Sequence, residues 1–297
     1  NFHQVDVYAL AINSWLDSPI GKTAFGVEMK SDAIWSTNLG KQLEEDEYRN
    51  TAGHDGTPDR QYTHYDQRTN ISAYIEHNIL LRQWTVSLGL LANYNTGLDE
   101  RWRFYPGIDI SYRPTEKMKL FASWNMALRM PTFTDLYYSG TNIEGNSNLK
   151  PEKTNDIALG AKYRTTALEL QAETFYSHKS DMIDWVVYED ETYDSEGNSI
   201  PQKEWIYRSG NFKLDNYGVE LNAAVMPREL LGEHSPLRRI AVAYAYISEN
   251  IAHERPVALS KYAQEYLKHK VVVQADGTIW RNLNISLAWR WQEREGA

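Results

Sequence analysis

The sequence predicts an all-β protein, an antiparallel transmembrane β-barrel, on three observations. Segment after segment carries an apolar residue at every second position. Connections between these segments alternate between tight and long down the whole chain. The 20 Tyr and 10 Trp of the 297 residues bring the aromatic share to 12%, and such rings favour strands and membrane-water boundaries. No window approaches the ~18 uninterrupted apolar residues of a helical span, and the mean hydropathy is -0.60, so any membrane crossing is made by strands.

Successive side chains of a strand point to opposite faces, so each alternating segment presents one apolar and one polar face. Asn1 to Asn13 already alternates and lacks the basic start and apolar run of a secretion signal. Trp84, Val86, Leu88, Leu90, Ala92 and Tyr94 share a parity, followed by Phe104, Ile108, Ile110 and Tyr112, then Leu120, Ala122, Trp124 and Met126. Ile157, Leu159, Ala161 and Tyr163 oppose Asp156, Gly160 and Lys162; Leu168, Leu170 and Ala172 oppose Glu169, Gln171 and Glu173. Tyr217, Val219, Leu221, Ala223 and Val225 oppose Glu220 and Asn222. Near the end Ile279, Leu283, Ile285, Leu287, Trp289 and Trp291 oppose Asn282, Asn284, Ser286, Arg290 and Gln292. The pattern amounts to roughly a dozen strands of about ten residues, enough to cross a bilayer at a tilt. A soluble meander is the competing reading, but its strands are usually shorter.

Tight connections fall at 14–21, 80–82, 113–117, 164–166, 226–238 and 276–278, the fifth being longer than the rest, and long ones at 32–66, 95–103, 127–153, 179–203 and 250–266. Outer-membrane barrels have short periplasmic turns and long extracellular loops, so the alternation orients the sheet as well. Asp276-Gly277 fits a type I′ hairpin turn, which needs positive φ at both central residues.

Composition also excludes. The absence of cysteine removes disulfide scaffolds and thiolate metal or redox sites. A formal charge of -9 argues against nucleic acid as a partner. No G-x-S-x-G, P-loop, H-E-x-x-H or G-x-G-x-x-G motif is present, so the sequence reads as no enzyme.

Between two alternating strands, Trp124 to Glu152 holds two boxes: Leu128-Arg129-Met130-Pro131-Thr132-Phe133 and Asn146-Ser147-Asn148-Leu149-Lys150-Pro151-Glu152. They resemble the paired signature of TonB-dependent outer-membrane receptors. The residues matching the family pattern are Arg129, Pro131 and Phe133 in the first box and Asn146, Asn148, Leu149, Pro151 and Glu152 in the second. The resemblance implies a barrel of about 22 strands around a plug, in the outer membrane of a Gram-negative bacterium. Residues 1–297 would then be a single partial barrel domain, an internal or C-terminal piece lacking the plug and flanking strands, with unpaired edges that preclude transport by the isolated piece. It also implies outer-membrane lipid around the wall, a nutrient as cargo, periplasmic TonB acting through the plug, and room for a surface lipoprotein partner.

Pro131 and Pro151 lack an N–H and so end ladder pairing, and Phe133, Leu136, Tyr137 and Tyr138 are placed to fold back over the barrel mouth. The plainer reading is that the boxes only fix loop geometry. Haem receptors of the family carry a histidine between the boxes; residues 134–147 contain none, which disfavours haem, although His54 and His64 lie in an earlier long loop. The stretch ALRMPTFTDLYY, with RFYPGIDISYRPT, is most similar to the cobalamin-type receptors of Bacteroidetes, which makes cobalamin the favoured cargo and a siderophore, other metal chelate or haem the alternative. Tyr137, Tyr138, Trp185 and Tyr188 are candidate ligand-stacking residues, against the interfacial girdle as the plainer account. Glu189, Asp190, Asp194 and Glu196 in the loop YEDETYDSEG form a candidate Ca²⁺ site, since hard cations take several oxygen ligands; acidic loops are more often simply solvated. A surface adhesion or carbohydrate-binding β-protein without transport is the alternative of another class.

Overall fold

The computed structural model describes residues 2–51, 60–97, 101–232, 234–252, 255–261, 266–280 and 283–295. Twelve long strands follow one another in chain order: β1 (His3–Ser18), β2 (Gly21–Ser36), β3 (His64–Leu80), β4 (Trp84–Asn95), β5 (Arg103–Thr115), β6 (Met118–Arg129), β7 (Glu152–Arg164), β8 (Leu168–Tyr188), β9 (Tyr207–Val225), β10 (Leu237–Ala252), β11 (Leu267–Trp280) and β12 (Leu283–Arg294). Each pairs antiparallel with the next, and short loop pieces extend the whole to a 16-stranded sheet. Two five-residue helices, α1 (Phe133–Tyr137) and α2 (Pro227–Leu231), lie in the connections.

Register carries the alternating pattern across the sheet. Ile108, Trp124, Ile157, Tyr176 and Tyr217 form one row, and Val242, Val273 and Trp289 another. Most of these side chains are exposed, Tyr217 at 51% and Trp289 at 57%. An apolar face exposed over so many strands matches a lipid-facing wall, where the ladder satisfies the backbone and hydrocarbon meets the side chains. The other face is polar: Glu76 accepts from Asn78 and Ser87 at 2.8 and 3.0 Å, and Lys119 and Lys162 flank Phe121. Its aromatic rings lie over glycines directly across the ladder. A Cβ on Gly160 would meet Phe121 at 2.2 Å, and one on Gly218 would meet Phe175 at 2.6 Å.

The wall strands run 12 to 21 residues, longer than the expected ten, because several continue past the apolar band at the long-loop rim. There lie both buried hydrophobic clusters: Ile34, Leu39 and Phe133, and Met182, Val186, Phe212 and Leu214.

The alternation of connections stands, with shifted boundaries. β1 continues to Ser18, so the first turn is only 19–20. Strand β8 runs on to Tyr188, through a register jump between Lys179 and Met182, so the loop expected from residue 179 begins at 189. The bulge breaks the period of two, and the segment above it is buried on both faces, which erases the alternation. The proposed Asp276-Gly277 turn is corrected: both residues are inside β11, paired with Ser286 and Ile285, and Trp280 pairs with Leu283. Gly277 serves close packing instead, since a Cβ there would meet the Pro236 carbonyl at 2.6 Å.

Candidate functional site

The connection from β6 to β7 builds the rim. Arg129 ends β6 and Glu152 begins β7, opposite each other in register, and Pro131 and Pro151 stand just outside the ladder. Thr132 caps α1 by accepting from the Asp135 amide at 3.1 Å, while the Asp135 carboxylate accepts from the Thr132 amide at 2.9 Å. This capping box fixes Asp135 over the strand ends.

Around it the first box closes a polar cluster. Arg129 Nε donates to Glu152 at 3.0 Å and its Nη2 to the Ile183 carbonyl at 3.0 Å, with Nη1 3.7 Å from Asp135. Glu152, 7% exposed, also accepts from the Ile183 amide. Trp185, 3% exposed, donates its ring N–H to Asp135 at 3.2 Å, and Ser209 donates to the Asp135 carbonyl at 2.7 Å. The second box is held by β9: Asn211 exchanges hydrogen bonds with the Lys150 amide and carbonyl at 2.8 and 3.0 Å and donates to the Asp181 carbonyl at 2.7 Å. Asn148 donates its amide to the Asn146 side chain at 2.9 Å, and Leu149 is buried.

From this anchor α1 reaches across the polar side to β2 and β3. Phe133 packs on Ile34 and Leu39, with Tyr137 and Tyr138 against the cluster. Arg68 donates to the Pro131 carbonyl and lies 4.7 Å from the Phe133 ring centre. Tyr137 donates to Asp66 at 2.7 Å, and burial first, then that carboxylate, pushes its hydroxyl pKa well up. Between this strap and the wall lies a cavity of about 640 Å³ bordered by Lys41, Asp66, Arg68, Asn95, Tyr137 and Glu144.

The boxes and the two tyrosines therefore come together at one rim. Trp185 is enclosed within that anchor, and Tyr188 is half-buried with Arg255 4.1 Å over its ring. The acidic loop is braced by arginines. Arg255 forks onto Asp190 at 2.6 and 2.9 Å and reaches Glu191, and Arg208 binds Glu191 at 2.9 Å and also Glu144. Hydrogen bonds to Asp190 hold the Arg255 pKa above its ordinary value. Asp194 accepts from the Asn198 amide at 2.8 Å, its side chain at 3.1 Å and the Glu196 amide at 2.9 Å, which lowers its carboxyl pKa. Glu189 and Glu196 are exposed. Among the described residues no three His, Asp or Glu side chains converge on a cation-sized point. His54 lies outside the described residues, and His64 opens β3, hydrogen-bonded to Thr63 at 2.8 Å.

Sequence reading missed Asp135, Arg68, Asp66 and Asn211. Asp135 had a signal, the Thr132-x-x-Asp135 spacing after a proline; the others lie 61 to 71 positions from the residues of the strap that they bond and have none.

An antiparallel wall with an apolar and a polar face, long loops at one rim and tight turns at the other, defines an outer-membrane β-barrel protein. The family described as TonB dependent receptor-like, beta-barrel matches residues 8–294. The chain belongs to this family of Gram-negative outer-membrane receptors, whose members are receptors and transporters. It is similar to the Vitamin B12 transporter BtuB of Photobacterium profundum, 24% identical over 178 residues, covering 59% of this chain and 26% of that one. In fold it is similar to the siderophore receptor PirA from Pseudomonas aeruginosa (TM-score 0.63, 16% identity, 98% of this chain and 46% of that one). It is likewise similar to the Copper transporter OprC (TM-score 0.66, 16% identity, 97% and 44%). The chain thus spans about a quarter of the curated relative and less than half of these structures.

Proposed function

We propose that the chain forms part of the wall and mouth of a receptor that captures a large, scarce nutrient outside the cell and passes it inward with energy delivered by periplasmic TonB through a plug. Cobalamin is the favoured cargo, a ferric siderophore or other metal chelate the alternative. The observation that carries this reading is the strap from Met130 to Pro151, anchored on β7 to β9 and reaching across the polar face to β2 and β3, with a cavity beneath it. A strap and cavity on the polar side of the rim suit a ligand entering the lumen. A surface adhesin would instead bind on outward loop tips. The similarity to a cobalamin transporter supports the cargo over part of the chain.

The test is binding of the full-length receptor to cobalamin, ferric siderophores and haem in parallel, with and without Ca²⁺. Tight cobalamin binding that Tyr137→Ala or Tyr138→Ala weakens supports the reading; preference for a siderophore moves the cargo to the alternative; binding of none of them, with avid glycan binding, overturns transport. Calcium in the acidic loop would have to compete with Arg255 for Asp190, so chelation that weakens cobalamin binding supports a cation there, and indifference removes it.

A further inference from the structure

The described rim accounts for the polar face, yet the opposite, lipid-side face carries a cluster that transport does not use. His178 and Ser180 are two positions apart on β8 and so share a face, and Asp215 stands directly opposite His178 on β9. Their parity is that of Tyr176 and Tyr217, which belong to the apolar face and are 43% and 51% exposed. His178 Nδ1 lies 2.7 Å from Asp215 Oδ1, and Nε2 lies 3.3 Å from the Ser180 hydroxyl. The Tyr176 hydroxyl donates to the same Asp215 oxygen at 2.6 Å. The His178 and Asp215 side chains keep 36% and 37% exposure, so the cluster is open to its medium.

The backbone beside the serine is unusual. Asp181, immediately after it, has φ 55°, and is the one non-glycine residue with positive φ among the described residues. Asp181 has no register partner in either ladder, since that of β7 stops at Ser180 and that of β9 jumps from Lys179 to Met182; its carbonyl instead accepts from the Asn211 side chain of β9 at 2.7 Å. The bulge at 180–181 thus sets a left-handed residue immediately after a nucleophile, the place from which a backbone amide serves as oxyanion donor in acyl transfer. An interfacial polar patch explains the tyrosine-aspartate contact; it does not explain an imidazole set between that aspartate and a serine hydroxyl. Lys153 faces Ser180 across β7, and Lys213, exposed, shares the parity of Asp215. The cluster thus lies just rimward of the tyrosines that edge the apolar band, at head-group depth.

We propose that Ser180, His178 and Asp215 form a hydrolase centre on the outer wall, cleaving the fatty-acyl ester of an amphiphile with an anionic head group in the outer leaflet. Ser180 Oγ attacks the acyl carbonyl carbon while its proton passes to His178 Nε2. The oxyanion develops toward the Asp181 amide and the Lys153 ammonium. The ester C–O bond then breaks, and His178 returns the proton to the departing alcohol oxygen. Water attacks the acyl-serine, giving a proton to His178; the fatty acid leaves as that proton returns to Ser180. Asp215 is a positioning residue, holding the imidazole tautomer that leaves Nε2 free to act as base. The anionic head group is selected by Lys153 and Lys213, and the acyl chain lies along the apolar wall.

The test uses the full-length receptor in vesicles of dioleoylphosphatidylglycerol, measuring oleate release, together with labelling by a fluorophosphonate and peptide mapping. The expected result is release that falls to background in Ser180→Ala and His178→Gln, and label on Ser180. Asp215→Asn is expected to lower kcat about a hundredfold or more with KM unchanged, and Asp215→Glu to recover part of it. Heat-modifiable gel migration establishes that each variant is folded. Equal release from folded Ser180→Ala, no release from the parent, or label absent from Ser180 would overturn the proposal.

Discussion

The wall and the rim of this protein are built on opposite rules. In the wall the large apolar side chains are exposed and the polar ones line the other face, as with Leu159 at 53% exposure and its neighbour Lys162 over Phe121. At the rim the arrangement is that of a water-soluble domain: Phe133, Val186 and Leu214 are buried, and Glu152 and Asp135 are buried with partners. The difference follows from the solvent. Where hydrocarbon surrounds the sheet, stability rests on the ladder and on keeping charge off one face; where water surrounds it, stability rests on packing and on satisfied buried polar groups.

The largest expected effect separates the two faces of the wall. Leu159→Arg puts a cation on the lipid face and should destabilise the folded barrel by about 2–4 kcal/mol if it lies near the midplane, whereas Gln171→Arg, on the polar face, should change stability by well under about 1 kcal/mol. Urea unfolding of the full receptor in lipid vesicles measures both; equal losses would break the assignment of faces.

At the rim the counterpart is Arg129→Ala, which leaves the buried Glu152 with only the Ile183 amide. Removing one member of a charged hydrogen-bonded pair costs about 3–5 kcal/mol when fully buried. The Arg129 side chain is 46% exposed, so solvent screening reduces this to about 1–3 kcal/mol. The loss should be local: hydrogen exchange across 130–151 accelerates while β1 to β5 stay protected. Uniform acceleration would show that rim and wall are one cooperative unit.

The same contrast decides what the sequence revealed. In the wall a single rule, period two against two media, governs the membrane-spanning stretches, so parity and orientation were legible from Trp84 to Tyr94 or Leu168 to Ala172 without any tertiary knowledge. It failed where the rule lapses. Asp276-Gly277 has turn chemistry, yet the polar neighbours Gln274 and Ser286 bind Asp276 within the sheet. The Lys179–Met182 bulge ended the visible period while the strand continued. At the rim the boxes were recognisable as pattern, but their partners Arg68, Asp66 and Asn211 are distant in sequence and bear no local mark, and Trp185, marked as an aromatic for stacking, serves as a hydrogen-bond donor to Asp135. The Ser180, His178 and Asp215 cluster was invisible for the same reason: it forms across two paired strands, with His178 and Asp215 37 positions apart in the chain.

The far end of the strap sharpens the comparison at lower magnitude. Tyr137→Phe deletes one hydroxyl and its bond to Asp66 while keeping the ring on Ile34 and Leu39. Asp66 retains Lys41 at 3.8 Å, so the expected cost is about 0.5–1.5 kcal/mol, read as faster exchange of residues 133–138 than of the Arg129 anchor. Slower or unchanged exchange would mean that packing alone holds this end.

The smallest effect belongs to the acidic loop, which is rim without a core. Hydrogen bonds from Asn198 and Glu196 depress the Asp194 carboxyl pKa in the folded loop. A group with a depressed folded pKa contributes stability above its unfolded value and loses it as pH falls through the folded one. The turn at 194–198 should therefore be ordered at neutral pH and loosen only on acidification below the ordinary carboxylate range, with the wall unaffected. Asp194→Asn removes the titration and should leave the exchange rate of the Asn198 amide, corrected for intrinsic chemistry, independent of pH across that window. Because Asp194 is exposed, salt screens what remains of its charge, and the whole effect stays inside the loop. If acidification instead loosened the strap at 130–151, the two loops would be coupled through Arg208, which bridges Glu191 and Glu144, and the acidic loop would belong to the receptor mouth.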